Sequence, residues 1–218
     1  MFGYAPPSMI DALLADSISK DVITQTVDGF ALTDNGRSSA GAMVDLQEAA
    51  IARRWDGAAA AVAVVRDQTG RILEAPPPPP SNPSTFELFA NTWQRPDDAA
   101  AQALRSVTAL RYWRMDAHRR ALTDAGLTPR AAHALNVLWD ASRATTRVGQ
   151  GFANAGTKGT ADLEALGLAA NATITSAGIE RREQVERATN QHTEPLYAPL
   201  DDDASRAELL DALRALPA

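Results

Sequence analysis

The chain of 218 residues contains no cysteine, which excludes disulfides, thiolate metal sites and a cysteine nucleophile. Histidine is scarce: His118, His133 and His192 stand far apart without paired acidic spacing, so neither a metal site nor another cofactor is expected. There is no surplus of positive charge, since 21 Lys and Arg face 27 Asp and Glu for a net charge of -6. That balance disfavours a nonspecific polyanion binder, whose affinity rests on basic contacts to phosphate. Long apolar runs are also missing; the longest, Ala58 to Val65, is too short to span a bilayer. The opening MFGYAPPSMIDALL lacks the basic and apolar regions of a secretion signal, so a cytoplasmic protein away from the membrane is expected.

What is present is alanine-rich and helical in period. Met9 to Ala15 spaces Met9, Ile10, Leu13 and Leu14 as a short helix. From Val22 to Leu32 the residues are β-formers interrupted by Asp28-Gly29, which predicts a hairpin. Asp34-Asn35-Gly36 reads as a second turn, followed by a helix over Ala42 to Trp55. Ala58 to Val65 fits a buried helix or a strand equally well, and Asp67 to Gly70 reads as a break. Pro76 to Pro80 with Ser81-Asn82-Pro83 predicts extended polyproline. The expected domains are therefore a first lobe over 1–75, a proline-rich linker over 76–85 and a helical lobe over 86–218.

In the second lobe the pattern predicts a short helix from Phe86 and a long one from about Pro96 to Ala125. Gly126 would end that helix, and Thr128-Pro129 would open the next, through Ser142. Asn171 to Ile174 reads as a β arm closed by Thr175 to Gly178, before a charged helix to His192. Asp201 to Asp203 reads as the cap of a final helix. Phe30 to Arg37 and Ala172 to Gly178 match each other as β arm, small polar turn and long helix. That is how the wing of a winged-helix domain enters its next helix. The expected fold is mainly α with short β-wings, as two winged-helix-like lobes.

The informative stretch is Leu110 to Gly126. Projected as a helix, Leu104, Val107, Leu110, Ala117, Ala121, Leu122 and Ala125 form one stripe, with Arg111, Arg114 and His118 inside it. Asp116, Arg119, Arg120 and Asp124 fall opposite, where Asp116 can pair with Arg120 in water. Two guanidiniums and an imidazole facing inward need acceptors. Either a carboxylate such as Glu48 or Glu87 supplies them, or a ligand does.

On these residues the chain resembles an actinobacterial family of winged helix-turn-helix-like proteins distantly related to the MarR class. Arg111-Tyr-Trp-Arg114-Met-Asp116-Ala-His118 is similar to that family's R-x-x-R-x-D-x-H helix, although the glycines flanking its aspartate are Met115 and Ala117 here. Ile174 to Gly178 with Val185 to Thr189 resembles its wing and following helix. Gly29-Phe30-Ala31 with Arg37 resembles its G-Y-F-A segment. The resemblance implies a homo- or heterodimer in small-molecule, specialised metabolism.

A DNA reader needs a firm recognition helix. The segment in that position, Gly149 to Ala169, holds five glycines, and its charges are Lys158 against Asp162 and Glu164. Each interior glycine costs about 1 kcal/mol relative to alanine. DNA reading is therefore doubtful. The expected function is a scaffold binding a small anionic molecule between the lobes, as an enzyme or an enzyme's partner subunit. Arg111, Arg114 and Arg37 would hold the ligand by bidentate hydrogen bonds, and His118 would exchange a proton. The alternative is a MarR-type ligand-responsive regulator.

Overall fold

Two hairpins, each running into a long helix, organise the computed structural model, which describes residues 7–92, 96–143 and 156–217. The first module is α1 (Pro7–Ser19), β1 (Ile23–Thr26), β2 (Gly29–Leu32) and α2 (Asp34–Arg54). Then come α3 (Ala59–Glu74), α4 (Thr85–Thr92), α5 (Ala99–Asp124) and α6 (Pro129–Ser142). The second module is α7 (Gly156–Ala165), β3 (Ala169–Ala170), β4 (Thr173–Ile174) and α8 (Ser176–Thr193), and α9 (Asp203–Ala215) closes the sequence of elements. Trp93 and the start of the glycine-rich segment, Gly149 to Ala155, lie outside the described residues.

The two modules share their hydrogen bonds atom for atom. Helix α1 ends with bonds from Val22 N to Ser17 O and from Asp21 N to Ile18 O; α7 ends with Leu168 N to Leu163 O and Gly167 N to Glu164 O. This is the Schellman arrangement, and Asp21 and Gly167 take the positive φ it requires, 53° and 70°. Each hairpin then returns so that Thr33 N bonds Val22 O and Thr175 N bonds Leu168 O. Each threonine caps the following helix, its Oγ1 accepting from Gly36 N at 2.9 Å or from Gly178 N at 3.1 Å.

Asp34-Asn35-Gly36 is therefore the first turn of α2, which begins eight residues before the expected Ala42. The same holds for Ser176 to Gly178 in α8. Glycine serves here as a contact rather than a bend. A Cβ on Gly36 would sit 1.9 Å from Val22 O, and one on Gly178 2.2 Å from Leu168 O.

Contacts divide the chain into two units. One contains Pro77–Leu88 and Arg111–Pro195, the other Ala5–Pro76, Phe89–Leu110 and Leu196–Ala218. In the first, Leu122, Leu127, Leu135, Leu163, Leu168 and Val185 form the core. Helices α6 and α7 approach closely at Gly159, where a Cβ would lie 2.6 Å from Arg130 O. That glycine is spent on a helix crossing.

In the second unit, α3 runs unbroken through Asp67 to Gly70, correcting the expected interruption. Val65, Thr69 and Ile72 are buried on one face, and the Thr69 hydroxyl donates to Val65 O, so packing overrides the weak local propensity. Leu196, Leu200, Leu209 and Ala212 complete that core. Asp202 caps α9 by accepting from Ser205 N at 2.7 Å, and its hydrogen bonds to Ser205 hold its carboxyl below the usual range.

Alanine at Gly36 or Gly178 should each lower stability by about 1–3 kcal/mol, because backbone blocks the new methyl. Gly41→Ala in the same helix, where nothing lies within 4 Å, should gain about 0.5–1 kcal/mol. Urea denaturation of the three variants checks the contrast.

Candidate functional site

The second half of α5 presents two arcs. Trp113, Asp116, Ala117 and Ala121 are buried, so the buried arc is rotated by roughly 90° from the expected stripe, about one residue's turn. Asp116, expected in water beside Arg120, is fully buried. Its carboxylate accepts from Ser84 Oγ at 2.8 Å, Thr85 N at 3.0 Å and Phe86 N at 3.0 Å. Those donors open α4, whose first turn is thus held by a charge from another helix. Arg119 lies 3.6 Å from Asp116 and donates to Thr85 Oγ1, Ser81 Oγ and Pro83 O, tying the end of the proline-rich stretch to α5. Arg120 instead pairs with Asp124 at the surface. Trp113 packs edge-on to Phe86 with ring centroids 5.2 Å apart.

The edge of α5 that carries Arg114 and His118 meets α8. Arg114 donates to Asn190 Oδ1 at 2.9 Å and to Glu186 Oε2 at 3.1 Å. The paired carboxylate therefore comes from Glu186, not from the first-lobe Glu48 or from Glu87. His118 Nδ1 lies 3.0 Å from Thr189 Oγ1. Because Thr189 gives its own hydrogen to Val185 O at 2.7 Å, Nδ1 is the donor and the neutral ring keeps its lone pair on Nε2. Burial lowers the His118 pKa below its ordinary value near 6.5; Glu186 opposes that shift, and Arg114 and Arg182 add to it.

Sequence reasoning missed Arg182. Its guanidinium carbon stacks 3.6 Å from the centre of the Trp139 ring, and it reaches Glu186 Oε1 at 3.8 Å. Its Nε is buried and has no hydrogen-bond partner among the described residues. The signal was its spacing, since Arg182, Val185 and Thr189 fall at i, i+3 and i+7 on one face of α8. Glu186 thus serves two arginines, leaving one carboxylate against two guanidiniums and an imidazole.

Arg111 lies one turn before Arg114, is exposed and makes no ion pair or hydrogen bond among the described residues. This corrects its expected burial. Arg37 belongs to the other unit, where it pairs with Asp34 and donates to Leu32 O at 2.7 Å. That unit also has a cavity of about 370 Å³ lined by Gly70, Leu73, Glu74, Gln102, Arg105 and Ser106. It contains none of the four expected site residues, and Arg105 there is bonded to Ala90 O and lies over Phe89.

Asp116→Ala should cost about 3 kcal/mol, since it strands three donors and Arg119. Arg114→Ala should cost under about 1 kcal/mol, because its pair with Glu186 is solvent-screened. Thermal melts of the two variants measure the difference.

Among the described residues no helix is long and apolar enough to cross a membrane. No curated protein and no solved structure matches the chain. A helix-turn-helix family matches residues 2–218, and the mainly helical fold with two small antiparallel hairpins is consistent with it. The chain belongs to this helix-turn-helix family.

Proposed function

We propose that this helix-turn-helix scaffold holds a small anionic molecule on the edge formed by α5 and α8, with Arg114, Arg182 and Arg111 as cations and His118 as the proton-exchanging group. The observation that carries this reading is the Arg182 guanidinium, fixed over Trp139 with a buried N–H lacking an acceptor. A carboxylate, phosphate or sulfate oxygen would bind the outer edge of this guanidinium by charge-assisted bonds. His118 Nε2 can take the proton of an acidic ligand and keep the product as its anion. The chain acts so either as an enzyme or as an enzyme's partner subunit, in the small-molecule metabolism implied by the resemblance. The same reading takes it as a homo- or heterodimer.

Sulfate tests the site, because its charge is constant across the relevant pH range. An anion favours protonated His118, and that residue's pKa is lowered in the free protein. Sulfate affinity should therefore rise as pH falls through the range where the bound ring titrates, and level off once the ring is protonated in the free protein, at a pH below the ordinary imidazole value. Calorimetric titration should show that slope in the wild type and a flat profile in His118→Asn. Arg182→Ala should bind at least tenfold more weakly. No binding in the wild type, or equal binding in all three, overturns the site.

A second reading is a regulator that binds DNA, as the words helix-turn-helix suggest, of the MarR type to which the sequence resemblance points. Its would-be reading helix is weak: α7 has ten residues, Lys158 and Glu164 are its exposed charges among those whose burial is described, and Asp162 is tied to Arg130 at 2.9 Å. DNA affinity should be weak and indifferent to sequence. Anisotropy titrations at physiological salt against DNA flanking the gene decide this, and nanomolar binding to one palindrome would favour the regulator.

A further inference from the structure

From Ile10 through the 3-10 turn Asp56–Ala58, only one residue is buried, and it is Gly36. A helix, a hairpin and a helix of 21 residues thus contribute almost no core, whereas ordering them carries an entropy cost of about 1–2 kcal/mol per residue. Both strands of the first hairpin are exposed along most of their length, and a lone two-stranded hairpin is marginal in water.

The second module shows what is missing. Numbered from the shared glycine, Val185 of α8 corresponds to Met43 of α2. Val185 is 3% exposed and Met43 is 66% exposed. On α2, Gly36, Ser39, Met43, Leu46 and Ala50 follow helical spacing along one stripe. Leu32, whose Cδ2 lies 3.2 Å from the Cβ position of Gly36, carries that stripe onto the hairpin, where Phe30 shares its face.

The geometry points to a second copy of this chain as the cover, its α2 packed antiparallel on the first across the Met43 and Leu46 stripe. This rests on the dimer reading above and names its surface. Eight large apolar side chains in residues 10–46 are each exposed by a third or more. Four of them, Phe30, Leu32, Met43 and Leu46, lie on the stripe and its extension onto the hairpin, and they form the apolar centre of the interface.

Charge sets the direction. The hairpin end of the module carries Asp28 and Asp34, the latter already paired with Arg37, for a net negative charge, whereas α2 ends in Arg53 and Arg54, which form no ion pair among the described residues. An antiparallel pair brings acidic end to basic end, and a parallel pair would stack Arg53 and Arg54 on their copies. A two-fold axis between residues 44 and 45 sets Met43 against Leu46 of the other copy, and Ser39 against Ala50. The two small residues let the helices approach.

Light scattering on the full chain at tens of micromolar should give twice the mass of one chain. Met43→Glu with Leu46→Glu should weaken association by about a hundredfold or more, with helix content kept by circular dichroism and sulfate binding unchanged. That last readout separates failure of this surface from failure of the anion site. Because the chain has no cysteine, cross-linking gives an answer even if the charged variant unfolds. A mixture of Ser39→Cys and Ala50→Cys chains should join through a short bismaleimide, and neither chain should join to itself. A monomeric wild type, a dimer that survives the two glutamates, or Ala50→Cys chains joining to each other would overturn the proposal.

Discussion

Both modules depend on one close approach: a carbonyl oxygen just past the end of one helix occupies the place where the first turn of another would carry a side chain. Val22 O lies over Gly36, and Leu168 O lies over Gly178. That contact fixes how the hairpin leaves and returns, and the threonine three residues before each glycine closes the arrangement by capping the helix. The hairpins differ in length, four-residue strands against two, yet the bonds at their base are the same. What repeats is the junction, and the arm above it is free to vary.

The second organising group is Asp116. A buried carboxylate is tolerated because three donors and a nearby guanidinium meet it. It fixes the rotation of α5, and that rotation turns Arg114 and His118 toward α8 rather than into a core. The cationic edge is thus a by-product of where an anion is buried. Trp113, one turn earlier, is carried inward by the same rotation.

The repeat was legible in the sequence because Thr-x-x-Gly after a β arm is a local signal, and local bonds produce it. The end of α5 and the start of α6 were legible for the same reason, through Gly126 with φ 68° and the Thr128 cap. The burial of Asp116 was not. In an alanine-rich helix the apolar stripe is broad, so Leu104 and Val107 pulled the expected face away from Trp113. Whether a carboxylate faces inward depends on Ser84 to Phe86, some thirty residues away. Arg182 escaped for a similar reason, because its meaning lies in Trp139 on a different helix. Asp34-Asn35-Gly36 looked like a turn by composition, and only the Val22 carbonyl explains why glycine stands inside a helix.

The bonds around His118 have a direction. Nδ1 gives its hydrogen to Thr189, and Thr189 gives its own to the Val185 carbonyl, where the line ends in an acceptor that has no hydrogen to pass on. In the neutral ring Nδ1 therefore keeps its hydrogen, and the free lone pair is on Nε2. In its neutral form the ring is therefore one-handed, able to accept but with nothing to offer at that atom. An anion meeting the neutral ring finds no donor at that atom, and gains one only when solvent protonates Nε2.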